Sequence, residues 1–140
     1  MVSPPARSVA VRLALAAVAL LAISAPQAAA APQLGRDYYG TYTYDGASSS
    51  STFNMEVGDQ TGKHLGRVSL FAMNLAELQG QGDLKKQNTV FKAATKATGK
   101  HAPRMQLVAT VGPNGDTLDG TFTLKRYHLT ALTGTFSVSR

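Results

Sequence analysis

The chain has 140 residues, with 14 Lys and Arg against 8 Asp and Glu, and contains neither cysteine nor tryptophan. Without cysteine it can build no disulfide framework, no thiolate metal site and no lipidated N-terminal cysteine, so one packed core must hold the fold together. The basic excess is small and its lysines, from Lys63 to Lys125, are scattered, which indicates a solvated surface and argues against a nucleic-acid footprint.

Residues 1–30 have the layout of a secretory signal peptide. Arg7 and Arg12 give a positive start, and Leu13 to Ala25 is an apolar run too short for a comfortable membrane span. Ala28, Ala29 and Ala30 then supply small residues for cleavage after Ala30. Loss of this leader removes two arginines, taking Lys and Arg from 14 to 12 and leaving a net charge of +4 over residues 31–140. The expectation is a single 110-residue domain, secreted or periplasmic, with no stable membrane anchor.

Period-two alternation marks the first strands, because successive strand side chains point to opposite faces. In 37–45, Tyr38, Gly40, Tyr42 and Tyr44 share one face, against Tyr39, Thr41 and Thr43; in 51–58, Phe53, Met55 and Val57 oppose Thr52, Asn54 and Glu56. The stretch from Val68 to Gln79 also fits a helix, with Phe71, Leu75 and Leu78 at helical spacing. The alternation of Leu78, Gly80, Gly82 and Leu84 suits a bent strand better, and strands are predicted over 65–73 and 77–84. A fifth, 89–97, sets Val90, Lys92 and Ala94 against Phe91, Ala93 and Thr95, and a sixth, 104–112, puts Met105, Leu107, Ala109 and Val111 together. Asn114-Gly115 then signals a tight turn.

The last two strands, 117–126 and 131–139, nearly repeat one another. Leu118-Asp119-Gly120-Thr121-Phe122 is answered by Leu132-Thr133-Gly134-Thr135-Phe136. Their inward faces are Leu118, Gly120, Phe122, Leu124 and Arg126 in one, and Leu132, Gly134, Phe136 and Val138 in the other.

Eight short strands with short connections form an antiparallel meander, and closing the sheet removes its two raw edges. The predicted fold is therefore all-β, an eight-stranded antiparallel up-and-down β-barrel, with inward glycines at the bends. The pattern resembles the calycin-type barrels, the avidins and lipocalins. Its Gly-Thr-aromatic openings, Gly40-Thr41-Tyr42, Gly120-Thr121-Phe122 and Gly134-Thr135-Phe136, are similar to those of the avidin branch, and Gly40 to Val57 is the closest piece. Avidins line their biotin site with tryptophans and this chain has none, so the resemblance implies architecture and carries no biotin-binding residue across.

Thr-Gly-Lys-His occurs twice, at 61–64 and 98–101. It matches no phosphate-binding loop, and in a meander the two copies fall at opposite ends of the barrel, so both read as polar turns. The end that carries the second copy is the better candidate mouth. Its loops bring Asp45, Ser48, His101, Tyr127 and His128, and loops of this kind usually host binding groups. Two histidines without a third ligand make no metal site. Glu56 and Glu77 fall on polar faces, and Ser48 to Ser51 lack a His-Asp partner, so no catalytic residues are assigned and no cofactor is called for.

The inward aromatics Tyr38, Tyr42, Tyr44, Phe53, Phe71, Phe122 and Phe136 are the feature that points to a ligand. Packed together they fill a core; spaced apart they line an apolar cup in which phenols orient a guest. The function expected is binding of a small apolar or aromatic molecule in that cup. The alternatives are a protein-binding module, such as an inhibitor of a secreted hydrolase, and a cofactor-free cyclase or isomerase using the same cavity.

Overall fold

The computed structural model describes residues 30–72, 77–96 and 98–140. Eight strands follow one another: β1 (Asp37–Tyr44), β2 (Ser51–Thr61), β3 (His64–Phe71), β4 (Leu78–Lys85), β5 (Val90–Thr95), β6 (Arg104–Val111), β7 (Thr117–Arg126) and β8 (Leu129–Ser139). Each pairs antiparallel with the next, and β1 closes on β8 from Tyr39 opposite Ser139 to Tyr44 opposite Gly134. The result is a closed up-and-down barrel. Every predicted strand is present, although β2 runs on to Thr61 and β8 begins at Leu129. Val68–Phe71 and Leu78–Gln79 belong to strands rather than to a helix; Met73, Leu75 and the end of the predicted fifth strand at Ala97 lie outside the described residues.

Pairing explains the repeated pentapeptide. In the β7–β8 hairpin Gly120 stands opposite Phe136, and Phe122 opposite Gly134. Each copy thus supplies a ring where its partner supplies a glycine, and the ring covers backbone that a side chain would otherwise occupy. A Cβ at Gly134 would lie 2.7 Å from two ring carbons of Phe122. At Gly134 the repeat is thus a packing device.

The inside is apolar and the outside is polar. Thr41, Thr121, Thr135 and Ser137 are exposed while Tyr42, Phe122, Phe136 and Val138 are buried, the reverse of a barrel that faces lipid. Among the described residues no helix is long and apolar enough to cross a membrane.

The register shifts at two places, between Leu65 and Val68 of β3 and between Leu124 and Arg126 of β7, where Arg126 pairs with Leu129, and the first changes which side chains face inward. Leu65 pairs with Gly82 but Val68 pairs with Gly80, so three residues of β3 face two of β4 and Gly66-Arg67 form a bulge. The extra residue reverses the faces beyond it: Val68 and Leu70 are buried, and Phe71 is 43% exposed. The expectation that Phe71 points into the barrel is corrected on this ground.

The ends of the barrel differ. The base carries the β2–β3, β4–β5 and β6–β7 turns, together with both the segment before β1 and the C-terminal Arg140. That leading segment is fastened across the base. Leu34 is buried, its N–H donates to Gln60 Oε1 at 2.9 Å, and Gln60 Nε2 donates to the Pro32 carbonyl at 2.8 Å. The Tyr38 hydroxyl accepts from the Gly35 N–H at 2.8 Å and donates to the Gly115 carbonyl at 2.6 Å, which ties the strap to the β6–β7 turn. Asn114 and Gly115 both adopt positive φ there, as their sequence predicts. Arg140 completes the seal, with Nε 2.6 Å from Asp116 Oδ1 and Nη2 donating to the Asn114 carbonyl at 2.9 Å.

Candidate functional site

With the base sealed, the opposite end is the place to look for a site. It receives the β1–β2, β3–β4, β5–β6 and β7–β8 connections. Four apolar side chains at this end, Tyr44, Ala72, Leu78 and Leu132, are only partly covered although they pack on the core. Thr95, at the end of β5, is likewise half-buried.

Beneath this rim the barrel is filled. Tyr42 packs edge-to-face on Tyr44 at 5.3 Å between ring centres, on Phe53 at 6.3 Å and on Phe122 at 5.9 Å. Tyr44 meets Phe122 at 5.7 Å, and Phe53 meets Phe136 at 5.3 Å. Such T-shaped contacts satisfy the ring quadrupoles and make one continuous layer of five rings. Lower still, Leu65, Leu84, Phe91, Leu107 and Leu118 are each 1% exposed or less, so no water-sized void borders them. The aromatic rings thus pack together as a core, and the apolar surface left partly uncovered at this end is the rim above them.

The seven aromatics singled out from sequence therefore divide three ways. Tyr42, Tyr44, Phe53, Phe122 and Phe136 come together as the ring layer; Tyr38 is spent in sealing the base; Phe71 lies outside. Burial raises the Tyr44 phenol above its ordinary value of 10.0, and neighbouring Tyr42 adds to the rise. Tyr44 consequently keeps its proton at neutral pH.

The five mouth-loop residues lie at this same end. The rings of His101 and Tyr127 are 3.7 Å apart between centres, and those of Tyr127 and His128 3.9 Å. The β7–β8 turn is made by Tyr127 and His128, the latter in the left-handed region at φ 54°, and it carries two of the three rings. Asp45 is fixed to the same hairpin, since its N–H donates to the Thr133 carbonyl at 2.9 Å and its carboxylate accepts from the Thr133 hydroxyl. Ser48 is exposed on the loop between β1 and β2. Among the described residues no three His, Cys, Asp or Glu side chains gather as a metal site would require.

One residue of the mouth was missed by sequence reasoning as a site residue. Arg126 ends the inward face of β7, beyond Leu118, Phe122 and the buried Leu124. The signal was a charge at the end of an apolar face.

Depressions occur on the outer wall, including one of about 500 Å³ across β4, β5 and β6 lined by His64, Asp83, Lys92, Gln106 and Val108. Three of its charged groups pair with one another: His64 Nδ1 is 3.0 Å from Asp83 Oδ1, and Lys85 Nζ 3.4 Å from Asp83 Oδ2. None of the sequence-predicted residues lines it. Comparison with protein-family models, with curated proteins and with solved structures finds no match, so the geometry of the barrel carries the functional reading.

Proposed function

We propose that this is an exported small β-barrel of calycin-like type that binds a small apolar or aromatic molecule at its open end. The observation that carries the reading is the difference between the two ends: a base crossed by the hydrogen-bonded strap, where Ala31 and Val111 stay partly uncovered, against a rim without such a strap among the described residues, where Tyr44, Ala72, Leu78 and Leu132 do. Concave apolar surface with a few oriented polar groups is the usual form of a small-molecule site. Because the interior below is packed, the guest sits on the ring layer rather than within a deep calyx. Residues 1–30 serve, in this reading, as the export leader, and the avidin-like strand openings belong to the same architecture.

The test uses Nile red, a neutral apolar dye. Wild-type protein is expected to bind it with a blue-shifted emission. Leu132→Arg, which sets a charge on the rim without entering the filled layers, is expected to weaken binding at least about tenfold, the loss of roughly one buried apolar contact plus a desolvated charge. No dye binding by a folded wild-type chain, or equal binding by the variant, would overturn the reading.

A second reading rests on the exposed ring cluster. Tyr127 and Leu129 are 49% and 60% exposed beside His101 and His128, and aromatic residues on a rigid scaffold suit docking on another protein. A secreted hydrolase inhibited in proportion to added barrel would favour it.

A further inference from the structure

We propose that Arg126 is an acid-recognition site at the mouth, and that the guest of the cup is an amphipathic carboxylic acid whose charged end pairs with this guanidinium. The inference deepens the small-molecule reading and rests on it.

Three observations meet at Arg126. It continues the inward face of β7, one alternation beyond the buried Leu124. Its Nε is buried and has no hydrogen-bond partner, while its Nη2 reaches only the Thr130 carbonyl, at 3.4 Å, the long limit of a hydrogen bond. The five ion pairs among the described residues leave it out. A guanidinium stays charged and offers five donors in a planar fork, and leaving a buried donor unmade is costly. The arrangement therefore calls for an acceptor, and a carboxylate matches the fork in shape and charge.

The neighbours say what else the guest carries. Arg126 lies close enough to the Tyr44 phenol that its charge draws down the proton affinity that burial raises. Tyr44 is thus a neutral phenol on the same rim as Arg126. Leu132 and Leu78 of the same rim are half-buried and apolar, and would give the rest of the guest apolar contact. The carboxylates at this end, Asp45 and Glu77, are engaged by Thr133 and by Gln79, and neither is ion-paired with Arg126. An acid with an apolar body fits this set; an alcohol or hydrocarbon of equal size leaves the buried donor unpaired.

The experiment displaces Nile red from the mature protein with dodecanoate and, separately, with dodecanol. Dodecanoate is expected to bind about tenfold tighter, as a charge-assisted pair with a buried donor predicts. Arg126→Gln should remove that preference while dodecanol affinity and melting temperature stay unchanged, and Arg126→Lys should restore part of it. The preference should also fade as the pH falls through the carboxylic range, where the ligand loses its charge. Equal affinities for the two probes, or a preference that survives in Arg126→Gln, would overturn the assignment while dye binding kept the cup reading intact. Failure of dye and both probes alike to bind would overturn both.

Discussion

Gly134→Ala is expected to lower stability by about 3 kcal/mol or more, a large fraction of the total stability of a small domain. The new Cβ would overlap the Thr43 carbonyl oxygen of β1 and stand 2.7 Å from the Phe122 ring. The ring is held by Tyr42 and Tyr44, and the carbonyl belongs to the strand that closes the barrel, so neither can withdraw. Gly120→Ala should be similarly severe, because its Cβ would overlap the Val108 carbonyl oxygen and stand 2.7 Å from Ala109 Cβ. Gly99→Ala serves as the control: nothing lies within 4 Å of its Cβ position, and a change within about 0.5 kcal/mol is expected. Urea denaturation of the three variants checks this. Wild-type stability in Gly134→Ala would mean that β1 and β8 do not close as described.

Tyr38→Phe should cost about 2–4 kcal/mol, since losing the hydroxyl orphans the buried Gly35 N–H and the Gly115 carbonyl together, at roughly 1–3 kcal/mol for each unmet group. The same substitution should alter the alkaline limb of stability. Burial raises the folded-state pKa of Tyr38 above 10.0, with the Gly35 hydrogen bond acting in the opposite direction. A raised pKa means that the folded state holds the proton more tightly. The stabilisation is then complete below the unfolded value near 10 and declines as the pH climbs through the folded one. Tyr38→Phe removes this contribution, so its stability should fall less steeply above pH 10; Tyr44, also raised, keeps part of the slope. Denaturation midpoints between pH 8 and pH 11 measure the difference, and parallel curves would show that the hydroxyl is not buried.

The barrel was legible because its strands alternate so regularly. From Tyr38 to Tyr44 and from Leu118 to Phe136, residue identity alone separated inside from outside, and short connections left an antiparallel meander as the simplest order. Phe71 escaped this reasoning because a bulge at Gly66-Arg67 inserts one residue, and period two cannot register an insertion that depends on the partner strand. Tyr38 shared the alternation of Tyr42 yet serves another end of the molecule, since Pro32 to Arg36 carry no periodic signal of the strap that meets its hydroxyl. The mouth loops could be assigned to one end by parity of the meander; that His101 and Tyr127 stack depends on loop conformation, which composition does not encode. Arg126 stood in plain view on the inward face of β7, and only burial of Nε without an acceptor distinguishes it from a solvated strand end.

The cup reading is tested most directly by the mass of the protein, purified from the cells that naturally make it and recorded under native conditions. The expected result is an added small-molecule mass that departs on denaturation and proves to be an apolar acid. A bare chain that also takes up no dodecanoate, or a chain that carries only a second protein, would contradict it.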